Sequence, residues 1–279
     1  MKNLDPKTVA SFGDEWTRFD QSNVAVAEAR KTFEEYFALF PWELLPPDAE
    51  GFDMGCGSGR WAYFVASKVG LLHCIDPSSA IEVARSKLEQ FKNVIFHRDS
   101  LDEMVLREQS QDFGYSLGVL HHVPDTQAAI VSCASLLKPG APFLLYVYYA
   151  FDHRPIWFRM MWKIADLLRR VIWRLPPKPK HLMTDLIALL VYWPLARLSM
   201  VLDRFGFSIA SLPLSYYRNH SLYTMKTDSR DRFGTPLEKR FTREQIRQMM
   251  EQAGLENIVF RDKEPYWCAV GTKIQAVQN

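Results

Sequence analysis

Phe52-Asp53-Met54-Gly55-Cys56-Gly57-Ser58-Gly59 joins an apolar run to a helix-forming run through glycines at every second position. Glycine lets the backbone turn sharply and lets a ligand approach where a Cβ would otherwise stand. The helix expected to follow, Trp61 to Val69, offers unpaired N–H groups at its start. Spacing narrows the ligand. A dinucleotide fingerprint places glycine at the first, third and sixth positions, but counting from Gly55 the sixth residue is Arg60.

Working outward, strand and helix signals alternate. Strands are expected at Ala49–Met54, Leu71–Ile75, Asn93–His97, Phe113–Val119 and Ala141–Tyr148, with helices at Ile81–Phe91 and Gln127–Leu137 between them. Lys138-Pro139-Gly140 stops the second of these helices. Such alternation produces parallel strands joined by crossover helices. The pattern resumes near the end of the chain. Thr242-Arg-Glu-Gln245 fits a capping box, Gly254 fits the end of the helix it opens, and two strands follow near Asn257–Arg261 and Trp267–Lys273. Upstream, Phe33, Phe37 and Phe40 fall at helical spacing and the prolines at 41, 46 and 47 end that pattern.

Three carboxylates fall at three successive strand ends. Asp53 closes the first strand, Asp76 the second, and Asp99, followed by Ser100, stands just past the third. Ligands of open α/β sheets bind along that carboxyl rim. The fourth strand ends in Tyr115-Ser-Leu-Gly-Val-Leu-His-His-Val-Pro-Asp125, and Leu136-Leu-Lys-Pro-Gly140 precedes the fifth.

Taken together, an acidic residue before Gly-x-Gly-x-Gly, the later acids and the Leu-His-His segment resemble the class I S-adenosylmethionine (SAM)-dependent methyltransferases, in a bacterial branch that acts on small molecules. The resemblance covers roughly residues 49–150 and 240–274. It implies an α/β fold with a doubly wound, seven-stranded, mostly parallel sheet (Rossmann-like), one antiparallel strand near the edge, and a large, mainly helical insertion after strand 5. It also implies SAM as cofactor, S-adenosylhomocysteine as product, and a small-molecule acceptor methylated on an oxygen of a sugar, polyketide-like or lipid-linked compound. By the same resemblance, Asp53 with Gly55, Gly57 and Gly59 holds the methionine part of SAM, Asp76 the ribose, and Asp99 and Ser100 the adenine, with Gly118 and His121 near the sulfonium. His121 and His122 are the candidate bases for removing a proton from a hydroxyl acceptor. A SAM-binding protein without transferase activity, and a protein or nucleic-acid methyltransferase, are the alternatives.

The expected division is 1–48 as an N-terminal helical lid, 49–150 with 240–279 as the SAM-binding core, and 151–239 as an insertion that recognises the acceptor. Within the lid, Phe12-Gly-Asp-Glu-Trp-Thr-Arg-Phe19 places Trp16 and Arg18 as candidates to fold over the cofactor; a strap that merely packs on the core fits the same residues. The four cysteines are scattered, with no C-x-x-C pair. No metal cluster is expected, and reduced thiols in a cytoplasmic protein are the simple reading. The first twenty residues have no apolar run of the secretory kind.

Charge sets one segment apart. The chain is only +2 overall, which disfavours a nucleic-acid partner, yet Phe151 to Met200 holds nine Lys/Arg against three Asp and four of the eight tryptophans. Ile156, Trp157, Met160, Met161, Ile164, Leu167, Leu168, Val171, Ile172 and Leu175 form one apolar helical stripe there, and a second, nearly all-apolar helix is expected around Leu182–Asp203, kinked by Pro194. Residues 156–203 fit a lid over their own core, a homodimer face, or a peripheral membrane contact. Only eleven apolar residues run uninterrupted from Leu186 to Ala196, short of the about 20 that cross a bilayer. Tyr216, Tyr217, Arg218, Tyr223, Asp231, Arg232, Glu238 and Arg240 are polar and aromatic candidates for recognising the acceptor.

Overall fold

The chain opens with helices α1 (Pro6–Arg18) and α2 (Val26–Tyr36). It then alternates through β1 (Glu50–Met54), α3 (Ala62–Val65), β2 (Leu71–Ile75), α4 (Ala80–Lys87), β3 (Val94–His97), β4 (Phe113–Leu117), α5 (Thr126–Ser135) and β5 (Pro142–Tyr146). Helices α6 (Ile156–Ile172), α7 (Pro177–Ile187), α8 (Trp193–Arg204) and α9 (Leu222–Gly234) come next, then α10 (Arg243–Gln252), β6 (Leu255–Phe260) and β7 (Cys268–Lys273). This computed structural model describes residues 3–100, 106–209 and 211–275. They divide into two units: Met1–Gln21, Ala29–Ala150 and Lys239–Asn279 form one, and Ser22–Glu28 with Phe151–Glu238 the other.

The first unit is built on a single seven-stranded sheet in the order β3-β2-β1-β4-β5-β7-β6. Strands β1 to β5 pair in parallel, and β7 lies antiparallel between β5 and β6. The direction of strand succession reverses between β1 and β4, so the glycine turn after β1 sits at the switch point, where the two neighbouring crossovers diverge and leave a crevice.

Side chains alternate across the pleat. Phe52, Met54, Phe143 and Leu145 bury against α5 and α10 residues on one face, while Phe113, Tyr115, Leu117 and Leu144 bury on the other. The lead-in aromatics complete that second face. Phe33 stacks on Phe64 at 4.9 Å, Phe37 meets the edge of Tyr115 at 5.1 Å, and Phe40 packs on Phe113 at 6.0 Å. Helix α2 ends at Tyr36, so Phe37 and Phe40 reach the core from the turn behind it rather than from the helix itself. The capping box at Thr242 and Gln245 forms as the residue types dictate, and Gly254 follows the helix at φ +75°.

The second unit is helical. Arg169 of α6 donates to the carbonyls of Thr235 (3.0 Å) and Pro236 (2.8 Å) and pairs with Asp166. Ser229 of α9 donates to the Thr184 carbonyl, and Tyr192 donates to Asp228. Glu28 accepts from the backbone N–H of Ser221 and the hydroxyl of Thr224, which ties Ser22–Glu28 to the start of α9. The polar and aromatic residues proposed to read an acceptor are largely spent on such internal bonds. Arg218 pairs with Asp203, Arg232 pairs with Asp228, and Tyr217 is buried against Tyr192.

Helices α7 and α8 are continuous through a π turn at Ala188–Tyr192, where the Trp193 N–H reaches back five residues to the Ala188 carbonyl. Pro194 has no N–H and its ring crowds the preceding turn, and the widened turn makes room for it. The result is 28 residues of helix with an 18-residue window of mean hydropathy 1.6. This corrects the sequence-based expectation: by length and composition alone the segment could cross a bilayer, because charged residues near its ends do not interrupt a helix.

Candidate cofactor site

The turn after β1 is held by backbone geometry that glycine alone adopts easily. Gly55, Gly57 and Gly59 have φ of +79°, +53° and +72°. The N–H groups of Gly55 and Cys56 both donate to the Ile75 carbonyl at the end of β2. The next N–H, of Gly57, donates to Asp76 Oδ2 at 2.9 Å. The other oxygen of Asp76 accepts from the backbone N–H of Ser78 (2.8 Å) and from its hydroxyl (2.6 Å). Asp76 therefore clamps the turn between two strand ends and keeps one lone pair, on Oδ2, for a further donor.

The expected helix over Trp61–Val69 is a correction. It is four residues of α-helix, Ala62–Val65, followed by a short 3-10 turn. A helix of one turn has almost no macrodipole, so the cradle rests on the glycine turn and its carboxylates.

Asp53 is 1% exposed, and neither carboxylate oxygen makes a hydrogen bond of full geometry, although the Tyr115 hydroxyl lies beside it. Burial pushes its pKa up to about 8; the neighbouring Tyr115 hydroxyl and the charge of Arg60 pull it down, and the charge of Asp76 pushes it up. Ser58 Oγ is likewise buried without a partner. Gly118, directly after β4, has φ +82°, and the place a Cβ would occupy is open for 4 Å around. Such a set of buried acceptors beside open space requires an incoming donor.

Two elements close around it. Trp16 of α1 lies on the turn: a Cβ added at Gly57 would stand 3.1 Å from the indole nitrogen. The Arg60 guanidinium sits over the rings of Trp16 (5.2 Å) and Trp61 (4.4 Å). Arg18, by contrast, is exposed and lies over Phe19 at 5.0 Å. His121 and His122 occupy a 3-10 turn behind Gly118, both buried. The His121 ring lies 3.9 Å from that of His122 and 4.0 Å from Tyr148, and Phe12 of α1 meets His122 edge-on at 4.9 Å. Asp99, half-buried, and Ser100, buried, follow β3 on the same rim, two strands from β1.

Sequence reasoning passed over Tyr115, which pairs with Asp53 in the β1–β4 register. It also passed over Glu15, a fully buried carboxylate one residue before Trp16. Tyr115 reads as an ordinary strand aromatic until the register is known. For Glu15 a signal existed, since the acid lies in the same aromatic segment.

Residues 52–140 match the family described as a methyltransferase domain. These residues form a methyltransferase domain. Among curated proteins the chain is 33% identical over 90 residues to a ubiquinone biosynthesis O-methyltransferase of Coxiella burnetii, spanning 32% of this chain and 38% of the relative. It is 31% identical over 144 residues to the protein of the same description from Xanthomonas campestris, spanning 50% and 57%. The chain thus spans less than two thirds of the length of these relatives. Among solved structures, the SAM-dependent methyltransferase SibL shares the fold, with a TM-score of 0.52 at 10% identity over 88% of this chain and 56% of that one. The methyltransferase match contains Asp53, the glycine turn, Asp76, Asp99 and the His121–His122 pair, whereas α1, with Trp16, lies outside it.

Proposed function

We propose that the protein transfers a methyl group from SAM to an oxygen of a small-molecule acceptor. The observation that carries this reading is the buried Asp53 carboxylate beside the glycine turn, whose oxygens make no hydrogen bond of full geometry. It fits the cationic amino group of a methionine moiety, and the remaining lone pair of Asp76 Oδ2 fits a hydroxyl of a ribose. Bound SAM supplies an activated methyl group, since its sulfonium is a good leaving group.

The chain's own contribution is to bind, orient and exclude water. Asp53 and Asp76 fix the two ends of the cofactor's polar chain, and the open space at Gly118 leaves its reactive centre uncovered by a side chain. Trp16, with Arg60 across its face, shields the turn. His121 or His122 receives the acceptor's proton at an imidazole nitrogen. An oxygen acceptor is supported by the printed description of the Coxiella and Xanthomonas relatives, and a lipid-linked acceptor is included among the classes to test.

The test is S-adenosylhomocysteine release on incubation with SAM and a panel of phenolic, sugar and prenylated hydroxyl compounds. Release with one hydroxyl class, lost when that hydroxyl is blocked, supports the assignment. SAM binding without release on any member would make the chain a SAM-binding protein without transferase activity.

A further inference from the structure

We infer that the second unit docks on the surface of an anionic lipid bilayer through the outer faces of α6 and of the α7–α8 helix. The starting observation is where the apolar surface lies. Among the described residues, nineteen of the twenty-six large hydrophobics left exposed fall between Ile156 and Phe207. Scattered exposed hydrophobics are ordinary, but a contiguous set this size marks an interaction surface.

On α6 the pattern is directional. Ile156, Met160, Ile164, Leu167 and Val171 recur every three or four residues and are 61–67% exposed. The opposite face is occupied, because Arg169 and Ile172 are buried within the unit. At about 100° per residue, the exposed Arg159, Lys163, Arg170 and Arg174 form a ridge along one flank of the apolar stripe. A stripe of aliphatic side chains bordered by cations, with Trp157 beside it, is the arrangement of a helix lying in a membrane interface. A second protein copy would be expected to bring acids to that ridge; anionic phosphates answer it directly.

The α7–α8 helix adds apolar surface, with Leu182, Leu186, Leu190 and Leu198 exposed. Its long apolar run does not make it a bilayer span. The other face holds a ladder of polar contacts along the whole length: Thr184 and Tyr192 with α9, Asp185 with Lys226, and Arg197 with the carbonyls of Arg218 and His220. Crossing a bilayer would carry α9 and its charges, Lys226 to Arg232, into hydrocarbon, which strongly disfavours ionised side chains. Lying along the interface keeps the ladder in water and buries the leucines.

The experiment is sedimentation of the full chain with vesicles of phosphatidylcholine alone and of phosphatidylcholine with phosphatidylglycerol, read beside the sedimentation velocity of the free protein. It needs no cofactor or acceptor, so its outcome is separate from the methyltransferase reading. Expected is binding to the anionic vesicles, weakened by salt and at least about tenfold weaker on the neutral ones. The double variant Ile164→Glu/Leu167→Glu should lose binding about tenfold or more while keeping its circular dichroism and thermal melt, since both residues are exposed. Arg159→Glu/Lys163→Glu should lose only the anionic preference. Absence of binding to anionic vesicles, unchanged binding by the Ile164/Leu167 variant, or a stable dimer that this variant splits would overturn the inference; the last would give the face to a second copy.

Discussion

Trp16 lies directly against Gly57: the indole nitrogen stands 3.1 Å from the point where that glycine would carry a Cβ. An N-terminal helix therefore rests on the turn that the first strand of the sheet presents to its ligand. Removing the indole while leaving the helix in place, as in Trp16→Ala, should weaken SAM binding about tenfold, the worth of one well-packed aromatic contact. Titration calorimetry checks this. Deleting residues 1–20 should cost at least as much, and unchanged affinity in the deletion would reduce α1 to a strap on the core.

The carboxyl of Asp53 gives a pH signature. Its pKa of about 8 in the unliganded fold means it holds a proton at neutral pH. A cationic ligand group binds the ionised form, so binding must expel that proton. SAM affinity should rise with pH from about 6 to about 8, by at most tenfold per unit, and calorimetry in buffers of different ionisation enthalpy should register the released proton. In Asp53→Asn the slope should vanish.

The same shift acts on stability with a fixed sign. The unfolded chain loses the Asp53 proton near its ordinary value of 3.8 while the fold retains it up to about 8. This carboxyl accordingly lowers stability progressively across that window, and the full cost is present above it. Asp53→Asn should raise the melting temperature of the unliganded protein at pH 8 and have little effect at pH 4.

Arg169 ties α6 to the end of α9 through two carbonyls and Asp166. Arg169→Ala removes a buried cation and its bonds to the Thr235 and Pro236 carbonyls, while Asp166 keeps Arg170, at about 3 kcal/mol. Limited proteolysis should show cleavage within Phe151–Glu238 at lower temperature than in the parent chain, while the far-UV signal of the sheet persists.

Much of this architecture is legible in the residues. Gly55, Gly57 and Gly59 announce the turn because no other residue enters positive φ so cheaply, and the carboxylates at Asp53 and Asp76 follow strand ends that apolar runs delimit. Thr242 and Gln245 specify their cap locally. What depends on distant partners is not legible. Tyr115 faces Asp53 only through the register of β1 on β4. The helix after the glycine turn stops at Val65 although its composition would carry it to Val69. The π turn at Ala188–Tyr192 is a response to Pro194 that merges two segments into one long helix, and the exposure of its leucines is a fact of packing. Tyr217, Arg218 and Arg232 look like ligand-reading residues in isolation; their partners Tyr192, Asp203 and Asp228 are supplied by other helices.

The most direct test of the central claim is isothermal titration of the purified chain with SAM and S-adenosylhomocysteine, repeated with Asp76→Ala after its thermal melt shows a folded protein. Micromolar binding of both ligands, weakened at least about a hundredfold in the variant, is the predicted result. A folded parent chain that takes up neither ligand would contradict it, and Asp53, Asp76 and the glycine turn would then be features of the fold alone.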